Sequence, residues 1–286
     1  MISAEKARWP VRVLCRALQV SPSGYYAWCQ RGESPRARGD RRLGVKVREA
    51  HERSRRTYGS PRVHAELQAD GEQVSRKRIA RLMRLQGIVG RDRRRFVRTT
   101  QRDPKEPPAP NLLQQDFTAQ APNERWVGDV TYLSTPRGFL YLAVVMDLYS
   151  RLIVGWALGE TNDRRLALEA VNMAYDRRSP PEGLVHHTDR GSPYTSGEYR
   201  DRLLKMGTLR SMSGTGNCYD NAAMESWFGT FKAEAGELFE SDNHARTAIF
   251  DYIECFYNSH RRHSTLDFQS PRDFERMATT RGLQAA

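Results

Sequence analysis

Three acids in this chain stand where their local sequence gains little from an acid. Asp129 interrupts R-W-V-G-D-V-T-Y-L (125–133), which alternates like a strand with Val127, Asp129, Thr131 and Leu133 on one face. A carboxylate among β-formers costs folding free energy if it is buried without a partner. Asp189 ends the short apolar run in G-L-V-H-H-T-D-R-G-S (183–192), immediately before a turn. Glu225 lies in N-C-Y-D-N-A-A-M-E-S-W-F-G-T-F-K (217–232), with 35 residues between it and Asp189. At helical spacing Met224, Trp227, Phe228 and Phe231 share one face, and Glu225 falls just off that stripe. Lys232 follows two turns later, nearly above Glu225, and Asn221 precedes it by one turn. Carboxylate oxygens suit hard divalent cations, whereas His or Cys ligands would point to zinc. An ammonium on the same helical edge suits a phosphate. Read alone, the helix is equally an ordinary amphipathic one carrying an i,i+7 surface pair.

The elements needed to bring these groups together can be read along the chain. Residues 125–133, 139–147 and 151–158 read as three strands with short connections, hence antiparallel. A helix over 164–176 leads to a fourth strand at 184–187, parallel to a neighbour after the crossover. A helix over 196–206, a strand over 209–212 and the helix from Ala222 complete the set, with one more amphipathic helix over 245–258. Three antiparallel strands followed by α-β-α-β-α is the order of a ribonuclease-H-like α/β fold with a mixed five-stranded sheet.

Ahead of this core the reading is all helical. Residues 5–18 carry Trp9, Val13, Leu14, Ala17 and Leu18 at helical spacing. Ser21 and Pro22 open a short second helix to residue 30, as in a helix-turn-helix. The basic stretch 36–42 reads as an exposed connector, followed by helices over 43–53 and 58–67. Ser75 is positioned to cap R-K-R-I-A-R-L-M-R-L, whose Ile79, Leu82 and Met83 form the buried stripe. Arg76, Lys77, Arg78, Arg81 and Arg84 crowd the rest of that helix, as on an element that meets phosphates or base edges. A basic run at 91–98 and a proline-rich linker at 103–110 precede the core. The expected division is therefore 1–55, 56–100, 101–118, 119–240 for the catalytic core, and 241–286 as a helical extension.

The chain has 286 residues and a net charge of +12. Residues 1–110 hold 27 Lys and Arg against 11 acids, and the remaining 176 hold 19 against 23. A basic front joined to a mildly acidic core points to phosphate binding ahead and cation-dependent chemistry behind. No apolar run reaches transmembrane length and no charged-then-apolar leader opens the chain. The four cysteines (Cys15, Cys29, Cys218, Cys255) show no C-x-x-C spacing. Neither a disulfide framework nor a zinc site is indicated, which fits a reducing, cytoplasmic setting.

The strings W-V-G-D-V-T-Y, H-T-D-R-G-S-P-Y and G-N-C-Y-D-N-A-A-M-E-S-W-F, with a basic residue seven after the glutamate, resemble the OrfB subunit of the insertion-sequence-three family of bacterial transposases. That family shares the DDE core of retroviral integrases. The resemblance runs over nearly the whole chain, with Trp227 standing where the family more often has Phe. It implies a nucleoid-associated bacterial enzyme acting on double-stranded DNA with terminal inverted repeats. It also implies a fusion or heteromer with the shorter upstream frame, OrfA, and a homo-oligomer on DNA. In such a core Asp129 would bridge two Mg2+ or Mn2+ ions, Asp189 and Glu225 would each hold one, and Lys232 would contact the phosphate beside the scissile bond. Asn221 would orient Glu225 or the terminal nucleotide. Asp147 either lines the site or builds a turn, and at most one of His186 and His187 faces the site. His260 and His263 read as DNA-facing or packing residues. The competing class is a DNA-binding regulator on an inactive scaffold. A ribonuclease H would instead require four acids and no long basic front.

Overall fold

The computed structural model describes residues 1–91, 109–214, 218–236 and 238–285. Most of the basic run at 91–98, most of the 103–110 linker and Glu237 lie outside these described residues. The front opens with α1 (Ile2–Glu5), α2 (Val11–Ala17) and α3 (Pro22–Gln30). The single helix expected over 5–18 is broken at Pro10, which lacks an N–H and sits in extended backbone (ψ 136°) ahead of α2. Ser21 caps α3 as expected, accepting from the Gly24 N–H at 3.0 Å. The apolar spacing in this stretch finds little core: Trp9 is 57% and Trp28 63% exposed.

The next helix, α4 (Pro35–Arg53), starts about two turns earlier than its hydrophobic pattern shows, absorbing the expected 36–42 connector. Ser34 caps it by accepting from the Ala37 N–H at 3.1 Å, and Pro35 occupies the first turn. With α5 (Ser60–Ala69) and α6 (Arg76–Leu85) it forms one packed unit, in which Val47, Ala50, Val63, Leu67, Ile79 and Met83 are buried together. Ser75 accepts from the Arg78 N–H at 3.4 Å at the start of α6.

The core sheet runs β3-β2-β1-β4-β5. Its strands are β1 (Arg125–Thr135), β2 (Gly138–Asp147), β3 (Ile153–Gly159), β4 (Val185–Thr188) and β5 (Leu209–Met212). The first three form an antiparallel meander, while β4 and β5 run parallel to β1. Helix α7 (Arg164–Arg178) covers one face, and Gly155 permits its close approach because a β-carbon there would run into the Ala170 carbonyl. The short α8 (Ser192–Thr195) and α9 (Gly197–Lys205) link β4 to β5.

The opposite face, carrying Val127, Leu142, Val144 and Met146, packs against α10 (Ala222–Glu234). All four stripe residues are buried: Met224, Trp227, Phe228 and Phe231. Each contributes about 1.5–3 kcal/mol by leaving water. Trp227 stacks on Phe231 at 5.4 Å, yet its indole N–H has no partner among the described residues, so Phe would fill the position without an orphaned donor.

A 3-10 turn (Cys218–Asn221) leads into α10, and beyond it lie α11 (Asp242–Phe250), which continues as a π-helical stretch through Asp251–Tyr257, a 3-10 turn (Ser264–Leu266) and α12 (Pro271–Ala285). Asn258 lies against the outer edge of β3 and pairs as a strand would. Its Oδ1 accepts from the Ile153 N–H at 2.9 Å and its Nδ2 donates to the Ile153 carbonyl at 3.0 Å. Among the described residues no helix is long and apolar enough to cross a membrane.

Candidate active site

The strand register places the first two acids. Gly128 of β1 pairs with Thr188 of β4 in parallel, so Asp129 and Asp189 each lie one step beyond the last paired rung. This is the carboxyl end of β4, the end of parallel strands at which ligands bind in open α/β sheets. Gly191 donates its N–H to Asp189 Oδ1 at 2.9 Å and fixes the turn. The third acid comes from the first turn of α10, the helix packed across β1.

Asp129 has one donor on each oxygen. The Val130 N–H reaches Oδ1 at 2.7 Å and the Asn221 Nδ2 reaches Oδ2 at 2.7 Å. A carboxylate offers about four lone-pair sites, so each oxygen keeps one for a cation. Burial, then the charge of Asp189, then that of Glu225 push the Asp129 carboxyl well above its ordinary range, against the two hydrogen bonds. Glu225 itself is exposed. Among the described residues no three His, Cys, Asp or Glu side chains converge on one point. The all-oxygen donor set fits a hard divalent cation and not zinc.

Several residues singled out by sequence fall into place around this centre. The Lys232 ammonium, on the last turn of α10, lies over the Tyr132 ring of β1 at 4.6 Å. Glu234, one possible partner for it, is instead gripped by Arg261 through two contacts of 2.7 Å and by the Tyr252 hydroxyl at 2.9 Å. Asn221 contacts Asp129 rather than Glu225. His187 shares the Asp129 face by register and hydrogen-bonds Ser211 at 2.7 Å and Ser213 at 3.2 Å, while His186 turns to the Tyr199 hydroxyl at 2.8 Å. Burial lowers both imidazoles, to about 4 for His187 and about 3 for His186, so both are neutral. Asp147 builds a turn: it accepts from the Asn123 N–H at 2.8 Å and the Tyr149 N–H at 2.9 Å. His263 packs edge-on against Tyr257 at 4.9 Å, and the exposed His260 folds back on the Cys255 carbonyl at 2.6 Å.

Two residues near the acids carry no signal in their spacing. Asp220 is buried and accepts from the Gly214 N–H at 2.7 Å, tying the end of β5 to the start of α10. Tyr194 of α8 is buried close enough to feel the charges of Asp129 and Asp189, and burial first of all drives its phenol pKa upward. Both stand inside quoted motifs, but only the three-dimensional arrangement gives them a place.

The basic helix α6 is only partly open. Arg78 donates to Asp40 of α4 at 2.7 Å, and Arg81 binds the other oxygen of the same carboxylate. Arg76, Lys77 and Arg84 are exposed.

Comparison with known proteins identifies the family. Residues 119–218 and 225–278 each match a family described as an integrase core domain, and residues 38–96 match an HTH-like domain. The transposase InsF of insertion sequence IS3A from Escherichia coli (strain K12) is 42% identical over 278 residues, covering 96% of both chains. A 31 kDa protein of insertion element IS600 from Shigella sonnei is 44% identical over 263 residues, covering 91% of this chain and 97% of that one. The HTLV-2 integrase catalytic core domain in complex with magnesium aligns over 55% of this chain and 99% of its own, at 16% identity and a TM-score of 0.42. With such identity held over almost the full length of both proteins, the chain belongs to the IS3 family of insertion-sequence transposases, enzymes of the DDE type built on an integrase core.

Proposed function

We propose that this transposase cleaves and joins DNA strands at the ends of its element by two-cation phosphodiester transfer, with Asp129, Asp189 and Glu225 as the ligands of Mg2+ or Mn2+. Two such ions, when bound, supply an activated oxygen nucleophile and stabilise charge on the leaving oxygen. The observation that carries this reading is geometric: the β1–β4 register sets Asp129 and Asp189 one step past the same rung, and Asn221 at the start of α10 reaches Asp129 at 2.7 Å, while burial first and then the charges of Asp189 and Glu225 push the Asp129 carboxyl upward. Asp129 is held by β1 and supplies both oxygens, Asp189 is fixed at a turn, and Glu225 is placed by the buried stripe of α10. Lys232 is the phosphate contact, and Asn221 lies beside Asp129 at the start of α10. The partly covered basic face of α6, with Arg76, Lys77, Arg78, Arg81 and Arg84, holds double-stranded DNA at the terminal inverted repeats. The OrfA product as fusion or heteromeric partner, and a homo-oligomer on DNA, are carried over from the family. Sequencing the flanking DNA for an overlapping upstream frame tests the first.

Asp129→Ala decides between catalysis and the alternative of an inactive regulator. Nicking of an element-end substrate should fall by at least roughly 10^3-fold, as loss of several kcal/mol of transition-state charge stabilisation requires. Gel-shift affinity for the same DNA should hold. Equal losses in both assays would show that the acid supports binding or folding instead.

A further inference from the structure

Asn221 occupies the N-cap position of α10, where an Asn side chain ordinarily accepts from an N–H of the first turn. Here it makes no cap hydrogen bond. Its Nδ2 is turned across to Asp129 Oδ2 at 2.7 Å, and its Oδ1 is buried with no partner among the described residues. The residue is 8% exposed. In this orientation the amide donor meets a carboxyl oxygen, which accepts. A 3-10 turn (Cys218–Asn221) leads straight into α10, so the helix start does not depend on this side chain, while burying its unpaired acceptor destabilises the fold. Helix formation therefore does not explain this side chain.

What the contact does is join the strand bearing the first acid to the helix bearing the third. Asn221 precedes Glu225 by one turn and leads directly into α10, so its amide ties the start of that helix to Asp129. The Val130 N–H restrains the other oxygen of Asp129 from within the strand. Together the two donors leave the carboxylate a single orientation, with one free lone pair on each oxygen.

We propose that Asn221 is a positioning residue for Asp129, holding its carboxylate in the orientation that receives divalent cations. The inference rests on the cation-binding reading of the three acids and goes beyond it in assigning Asn221 to the carboxylate instead of the nucleotide.

Asn221→Ser in the full-length chain separates the roles, because Ser caps a helix well but is too short to reach Asp129. Asn221→Thr provides a second capping variant with the same expectations. Mn2+ binding by calorimetry should weaken by roughly 10–100-fold, the usual penalty for losing a hydrogen bond behind a metal ligand. The metal-free melting temperature should hold or rise, and gel-shift affinity for element-end DNA in chelator should be unchanged. Mn2+ affinity within about twofold of the unsubstituted protein would overturn the proposal while leaving the cation reading intact. Weaker DNA binding in chelator would also overturn it, by making Asn221 a DNA contact. Asp129→Ala serves as the control. If it leaves Mn2+ binding intact, the cation reading itself fails and the role of Asn221 falls with it.

Discussion

In the α4–α6 unit, cations are met by carboxylates of the same chain: Asp40 holds Arg78 and Arg81, Asp70 holds Arg53, and Glu72 holds Lys46. Around Asp129 the neighbouring ionic groups that act on it are two acids, and amide N–H donors supply the hydrogen bonds. Four cations of the first region find partners within the fold, whereas the acids around Asp129 add to its charge. Balanced arginines can exchange Asp40 for a phosphate without ever being bare. If the three acids hold divalent cations as proposed, bound cations would relieve the cost of keeping like charges close together.

The two regions meet along a polar seam. Arg55 of the front makes a forked pair with Asp251 (2.6 and 3.1 Å), and the Arg262 N–H donates to the Tyr58 hydroxyl at 2.7 Å. Arg91 reaches the last carbonyls of α10, those of Ala233 and Glu234, at 3.1 Å each. The helix that carries Glu225 is thus held at its far end by the basic front and by Arg261.

The largest effect expected from breaking this arrangement is at that far end. Arg261 is 2% exposed, and Arg261→Leu would leave the Glu234 carboxylate buried without its main partner. A loss of about 3–5 kcal/mol in unfolding free energy follows, measurable by denaturant titration. A change below about 1 kcal/mol would mean that the pair is not what anchors α10.

Asp129→Asn should act in the opposite direction. In chelator it removes a like charge from a crowded site, so its melting temperature should exceed that of the unsubstituted protein at neutral pH. The sign follows from the raised carboxyl of Asp129. The folded chain binds this proton more readily than the unfolded one, so stability falls as pH rises from the ordinary carboxylate value through the raised one. The advantage of the Asn variant should therefore shrink as the solution is acidified. Melting curves at several pH values check this, and an advantage that grows in acid would place the repulsion elsewhere.

On the front, Arg78→Ala and Arg81→Ala should each lower the slope of log K against log salt by roughly 0.9 if they meet phosphates. Asp40→Asn should strengthen DNA binding and steepen the slope, since it frees both guanidiniums. A weaker complex would instead make Asp40 the residue that aims them. The smallest stability effect belongs to Lys232→Ala. The cation–π contact with Tyr132 is worth about 0.5–1 kcal/mol, so the melt should shift little. Single-turnover strand transfer should nevertheless lose most of its rate with Ala and keep much of it with Arg. Full activity of the Ala variant would leave the carboxylates alone at the centre.

The same contrast explains what the amino-acid sequence reveals. Strand alternation around Asp129 and the Met224–Trp227–Phe228–Phe231 stripe are local patterns, and both elements form where the patterns lie. The expected order of strands and helices along the core and the buried face of α6 follow from equally local signals, whereas the strand order in the sheet comes from the fold. The beginning of α4 has no such pattern, because its first two turns carry charged residues with no apolar stripe. Pairings such as Asp40 with Arg78 and Arg81, Glu234 with Arg261, and Asn221 with Asp129 join residues far apart in the chain. Periodicity cannot show them, so the roles of Asp40, Asp220 and Tyr194 come only from the fold.

Asn258 bears on how this protein can be dissected. The outer strand of the sheet offers its Ile153 N–H and carbonyl to a side-chain amide that lies beyond residue 240. A fragment ending at residue 240 would strip that amide away together with the helices beside it. The exposed rim could then recruit the same rim of another molecule, which is how unprotected strands seed aggregates. Insolubility of such a fragment would therefore reflect a lost seal on the sheet, with no bearing on whether its carboxylates are competent.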